Sequence, residues 1–156
     1  MLQQARQLDS DQASEASANP ARPGAPRVLV IDDDKLHRMI ICRVAAKAGY
    51  APAGAATYDE AARLLAKGAF DCITLDLALG SYAGVEMLRH LQDIGCKASI
   101  IVISGCDGAT CNETVKVARS LDLDICQSMP KPVDLAVLRY WFERLKSERP
   151  NAAAAV

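Results

Sequence analysis

Several short apolar runs punctuate the chain, and each stops at a polar residue. Val28–Ile31 (VLVI) ends in Asp32, Asp33 and Asp34, Cys72–Leu75 (CITL) ends in Asp76, and Ile100–Ile103 (IIVI) ends in Ser104 and Gly105. A weaker run, Leu123–Met129, ends in Pro130, Lys131 and Pro132. Mostly apolar, β-branched runs of this length read as strands covered on both faces, as in a parallel sheet. Between them the period changes. Lys35–Lys47 places Leu36, Ile40, Ile41, Val44, Ala45 and Ala48 on an inward helical stripe, and Gly49 supplies the stop.

The remaining elements follow the same rhythm. Ala51–Ala55 is a poor strand because it holds Pro52 and Gly54, and a proline without an amide to donate belongs at a sheet edge. Tyr58–Lys67 reads as a helix capped by Thr57, with Glu60 three residues on and Gly68 at its end. A third helix is predicted over Val85–Ile94, with Val85, Met87, Leu88 and Leu91 inward, and a fourth over Asn112–Leu121. The fifth, Asp134–Lys146, is expected to turn Leu135, Leu138, Phe142 and Leu145 to the core. That leaves Val137, Tyr140, Trp141 and Arg144 on a neighbouring face, a candidate protein-contact surface rich in interface-type residues, the alternative being that the Trp141 ring tucks back against the core edge. Five βα units result. The fold expected is α/β, a flavodoxin-like (βα)5 sandwich with strand order 2-1-3-4-5, which puts the proline-bearing strand outside and the strand of Asp76 in the middle.

Composition narrows this picture without changing it. With 156 residues, 51% of them hydrophobic, the chain is long enough for one well-cored domain. Residues 1–26, rich in Gln, Ser, Ala, Asp and Pro, are expected to form a disordered leader and residues 147–156 a disordered tail around a domain at 27–146. A net charge of −1 argues against nucleic acid as a partner. No run approaches the roughly 18 apolar residues of a membrane span, and the N-terminus lacks a signal-peptide stretch, so a soluble, cytoplasmic protein is expected. Six cysteines without a CxxC pair read as small core residues; Cys106 and Cys111 share a loop but lack the partners of a zinc site.

Parallel strands would bring their polar ends to one rim, where open α/β sheets keep their sites. Asp32, Asp33 and Asp76 would then repel one another, each close pair by about 4 kcal/mol at an effective dielectric near 20. A divalent cation relieves that, and an all-oxygen set selects a hard ion such as Mg²⁺ or Mn²⁺. Proton sharing is the alternative, made unnecessary by a metal together with Lys131. Such a site suits Asp76 to attack phosphorus and form an aspartyl phosphate, with Lys131 balancing phosphoryl charge and Ser104 donating a hydrogen bond. No general base is required, and His37 and His90 read as ordinary surface or packing residues.

VLVIDDD, ITLDLAL, IIVISG and MPKPVD, in this order, resemble the receiver domain of two-component response regulators over about Arg27–Lys146. The resemblance implies that Asp76 is the phosphoacceptor, with Asp33 and Asp76 on Mg²⁺ directly, Asp32 through water, and the Ala78 carbonyl completing the protein ligands. It further implies a switch hydroxyl at Ser104, a phosphate-binding Lys131, and a cis bond before Pro132. The partners implied are a histidine kinase or histidine phosphotransfer protein and an effector protein, the chain being a monomer or a phosphorylation-dependent dimer and not an enzyme. Gly80 replaces a usual proline, Ala83 a frequent acid and Ser128 a frequent aromatic, so a more mobile loop after Asp76 is expected. The long Ser104–Lys131 stretch looks like receivers joined to cyclic di-GMP phosphodiesterase domains, although no such domain follows and a stand-alone receiver is expected. Two rival readings stand beside it. One is a phosphorylation-independent interaction module of the same fold. The other is a Mg²⁺-dependent aspartyl-phosphate phosphatase, disfavoured because Ala78 fills the place of its second acid.

Overall fold

The computed structural model describes residues 24–78, 83–105 and 115–149. Most of the expected leader, the tail from residue 150 on, Gly80, Cys106, Cys111 and the expected start of the fourth helix at Asn112 lie outside the described residues. Five parallel strands, β1 (Arg27–Ile31), β2 (Ala51–Ala55), β3 (Cys72–Asp76), β4 (Ser99–Ser104) and β5 (Asp124–Pro130), form one sheet in the order β2-β1-β3-β4-β5. The expected flavodoxin-like order is therefore observed, with Pro52 on the outer strand β2.

Five helices among the described residues cover the sheet: α1 (Lys35–Lys47), α2 (Tyr58–Lys67), α3 (Ala83–Asp93), α4 (115–120) and α5 (Leu135–Glu148). Alternate strand residues point to opposite faces, so the sheet feeds two cores. Leu29, Ile31, Ile73, Leu75, Ile100 and Val102 pack with Met87, Leu88, Leu91, Val115 and Ala118 from α3 and α4. On the other face Val28, Val30, Cys72, Ile101 and Ile103 meet Ile41 and Ala45 of α1 and Leu138 and Phe142 of α5. Each fully buried aliphatic contributes about 1.5–3 kcal/mol, so the paired cores make the central strands a rigid base for whatever their ends carry.

Local chemistry sets the helix starts. The Thr57 hydroxyl accepts from Glu60 N at 3.1 Å, the cap that the sequence suggested, while the Glu60 carboxylate reaches one residue further back and accepts from Ala56 N at 2.7 Å. Asp134 caps α5 by accepting from Ala136 N and Val137 N. Asp34 does the same for α1, accepting from His37 N at 3.0 Å, which holds its carboxyl below the usual carboxylate range. Of the acidic triplet, Asp34 thus has a structural task.

Four expectations need correction. Leu36 is 66% exposed and Leu135 43% exposed, because both stand in the first turn of their helices, where the chain enters from the sheet rim. Trp141 is partly buried against the core, with Arg144 over its ring at 5.4 Å, so the exposed apolar part of that face is Val137 and Tyr140. Helix α5 runs to Glu148, two residues past its expected end, since Lys146 reaches back to the Ala48 carbonyl and Arg149 to Asp71. Beyond these four, strand β5 carries a bulge on which the sequence reading was silent: Ile100 pairs with Ile125 but Ile101 with Gln127, leaving Cys126 as the extra residue, its thiol on the Ile100 carbonyl.

Candidate functional site

The carboxyl ends of β1, β3, β4 and β5 meet at one rim. Asp32 follows β1, Asp76 ends β3, Ser104 ends β4, and Lys131 follows β5. Asp32, Asp76 and Ser104 are buried, at 1%, 2% and 2% exposure, while Asp33 is exposed. Carboxylate oxygens of Asp32, Asp33 and Asp76 all lie within 4.8 Å of one another, a spacing one small cation can bridge.

Asp76 is held at both oxygens. Oδ1 accepts from Ala78 N at 2.9 Å, in the turn that follows the strand, and Oδ2 accepts from Lys131 Nζ at 2.6 Å. The same ammonium stands 3.8 Å from Asp32 Oδ2. Burial pulls the Lys131 pKa down, but the hydrogen bond to Asp76 and the charges of Asp76, Asp32 and Asp33 outweigh it, and the net shift is upward. The Lys131 backbone is fixed as well: its N–H donates to the Ser104 carbonyl at 3.1 Å, and the following bond to Pro132 is cis, as the resemblance implied.

Gly84 closes the far side. A Cβ there would lie 2.6 Å from the Leu77 carbonyl oxygen and 2.9 Å from Leu77 Cα, so only glycine lets the start of α3 come this close to the turn after Asp76. Ser128, at the position where an aromatic is frequent, is exposed on β5.

Two residues that the sequence reading passed over belong to this site. His37 is not an ordinary surface residue: its Nδ1 is paired with Asp32 Oδ2, and its ring is mostly covered. Arg38 donates from Nη1 to the Asp32 carbonyl at 2.7 Å. The available signal was their position in the first turn of a helix that begins directly after the acids, which turns side chains back toward the strand end.

Donor chemistry decides what the site can hold. Three carboxylates against one ammonium form an oxygen-only set with excess negative charge, which fits a hard divalent ion such as Mg²⁺ and gives no thiolate for a soft one. Asp32, Asp33 and Asp76 would hold it, and bound there it would offset charge on phosphoryl oxygens. The chain's own groups supply the rest: Asp76 an ionisable oxygen at the strand end, Lys131 an ammonium beside it, and Ser104 a buried hydroxyl on the adjacent strand.

A doubly covered parallel sheet of order β2-β1-β3-β4-β5, with an acid cluster and a paired lysine at its carboxyl rim, defines the class of flavodoxin-like domains with a polar switch-point site. Residues 28–142 match the response regulator receiver domain family, and the chain belongs to that family. It is 31% identical over 134 residues to the response regulator MprA of Mycobacterium ulcerans, covering 83% of this chain and 56% of that protein. To the chemotaxis protein CheY of Thermotoga maritima it is 34% identical over 79 residues, covering 50% of this chain and 66% of that one. The chain thus spans less than two thirds of the length of either relative. A crystal structure of a response regulator from Colwellia psychrerythraea superposes with a TM-score of 0.69 at 24% identity, covering 80% of this chain and 99% of that one, a likeness of fold. Among the described residues no helix is long and apolar enough to cross a membrane.

Proposed function

We propose that the chain accepts a phosphoryl group on Asp76, with Mg²⁺ held by Asp32, Asp33, Asp76 and the Ala78 carbonyl, from a histidine kinase or histidine phosphotransfer protein. The observation that carries this reading is the convergence on Asp76, whose Oδ2 accepts from Lys131 Nζ at 2.6 Å, of two further carboxylates with an oxygen of each of the three acids within 4.8 Å of the others. An Asp76 oxygen attacks phosphorus, the bond from phosphorus to the donor nitrogen breaks, and the donor imidazole keeps the electron pair. Lys131 then moves from carboxylate to phosphoryl oxygen, and Ser104 donates its hydroxyl to another. The signal leaves through protein contacts rather than through catalysis on a further substrate; Ala78 offers no acid to protonate a leaving group. The domain proposed spans 27–148, and the long Ser104–Lys131 segment supports kinship with receivers of the longer type. Incubation with acetyl phosphate and Mg²⁺ should add one phosphoryl group by intact mass, and Asp76→Asn should abolish it; continued stoichiometric labelling of that variant would sink the assignment.

A further inference from the structure

Asp32 is immobilised more completely than any other acid at the rim. Its Oδ1 accepts from Asp34 N at 2.9 Å, its Oδ2 is paired with His37 Nδ1, and its carbonyl accepts from Arg38 at 2.7 Å. All three groups come from the cap and first turn of α1. Asp34 turns the chain and fixes His37 N, which aims the imidazole back at the strand end. Arg38 reaches across because β2 carries Gly54 opposite; a Cβ there would press on Arg38 Cδ at 3.2 Å. The imidazole is no solvated surface group, since 19% of its side chain is exposed and Nε2 is buried without a partner among the described residues.

We propose that His37 is a positioning residue for the acid site: its Nδ1–H, donating to Asp32 Oδ2, fixes the carboxylate orientation on which Mg²⁺ affinity depends. This rests on the metal reading above. A carboxylate held at both oxygens before the ion arrives has no rotamer freedom left to lose, and partners of this outer kind typically change metal affinity 10–100-fold. Because Asp32 is expected to act through water, the lower end, about tenfold, is the expected loss.

Mg²⁺ titration of the full chain by calorimetry tests this with two replacements. His37→Leu keeps bulk and loses the donor, and should weaken Mg²⁺ binding about tenfold. His37→Asn places its amide nitrogen where Nδ1 stood along the side chain, and should bind within about twofold of the unmodified protein. A structural role alone would predict the reverse order, because Leu keeps the apolar bulk of the half-buried side chain and Asn does not. Should His37→Leu fail to melt cooperatively, His37→Gln, whose amide lies one bond further out, replaces it with the same expected loss. The inference is overturned if His37→Leu, or His37→Gln in its place, binds Mg²⁺ as the unmodified chain does, or if His37→Asn loses as much. Failure of the unmodified chain to bind Mg²⁺ would overturn the underlying metal reading as well.

Discussion

The two rims of the sheet are made by the same strands and are built on opposite principles. At the amino rim, charges are matched. Asp71 accepts from Arg27 N at 2.7 Å and pairs with Arg149 at 3.2 Å, the Arg27 guanidinium stacks over Phe70 at 4.3 Å, and the Ser99 hydroxyl donates to Asp124 at 3.0 Å. At the carboxyl rim, Asp32, Asp33 and Asp76 crowd together around one ammonium, and two of the three are buried. A chain optimised only for stability would not leave three carboxylates there. The mismatch is what the proposed cation would offset, and the amino rim shows the same strands with their charges paired within the chain.

The first way to sharpen the contrast is to weaken both ends at once. Phe142 is fully buried beneath the sheet, its carbonyl accepting from the Tyr50 hydroxyl at 2.8 Å. Phe142→Ala should lower unfolding free energy by about 3–5 kcal/mol. Urea denaturation should show the same loss with and without Mg²⁺; a loss that depends on the ion would mean that the core and the acid rim are coupled.

A smaller effect is expected at the acid rim itself. Lys131→Met leaves the carboxylates without their cation and should destabilise the metal-free protein by about 1–3 kcal/mol, less when Mg²⁺ is present. Its pH dependence follows from the raised Lys131 pKa. The stabilisation is complete below 10.5, the ordinary lysine value, and disappears as pH rises through the higher folded value. Parent and variant stabilities should therefore converge at strongly alkaline pH. A constant gap across that range would place the effect in packing instead.

Much of this contrast was legible in the chain. Strands were readable because runs buried on both faces stay almost wholly apolar until they end, Thr74 being the one exception among these, so VLVI and CITL announced the acids that follow and IIVI the serine. The inward face of α3 was readable at Met87, Leu88 and Leu91 from its 3.6-residue period, whereas Val85, expected with them, is only half-buried. What escaped depends on geometry across elements. Leu36 and Leu135 fit a helical stripe, but a stripe does not say where the sheet beneath it stops. His37 lies five residues from Asp32, a spacing that meets only because the chain turns at Asp34 between strand and helix. The β5 bulge at Cys126 has no local mark, since it is set by the partner strand β4.

The smallest effect belongs to the matched rim. Arg149→Ala removes a partly exposed ion pair with Asp71 and should cost about 0–1 kcal/mol, less at high salt and independent of Mg²⁺. A Mg²⁺-dependent loss there would break the division between the rims.

The most direct test of that division is the thermal melt of Asp33→Ala beside the unmodified chain, with and without Mg²⁺. Asp33 is the exposed member of the cluster, so its removal takes away a repelling charge without opening a core cavity. The variant is expected to melt higher than the parent in metal-free buffer and to gain nothing from Mg²⁺, while the parent rises with the ion. A variant that melts lower without metal, or that Mg²⁺ still raises as much as it raises the parent, would contradict that division.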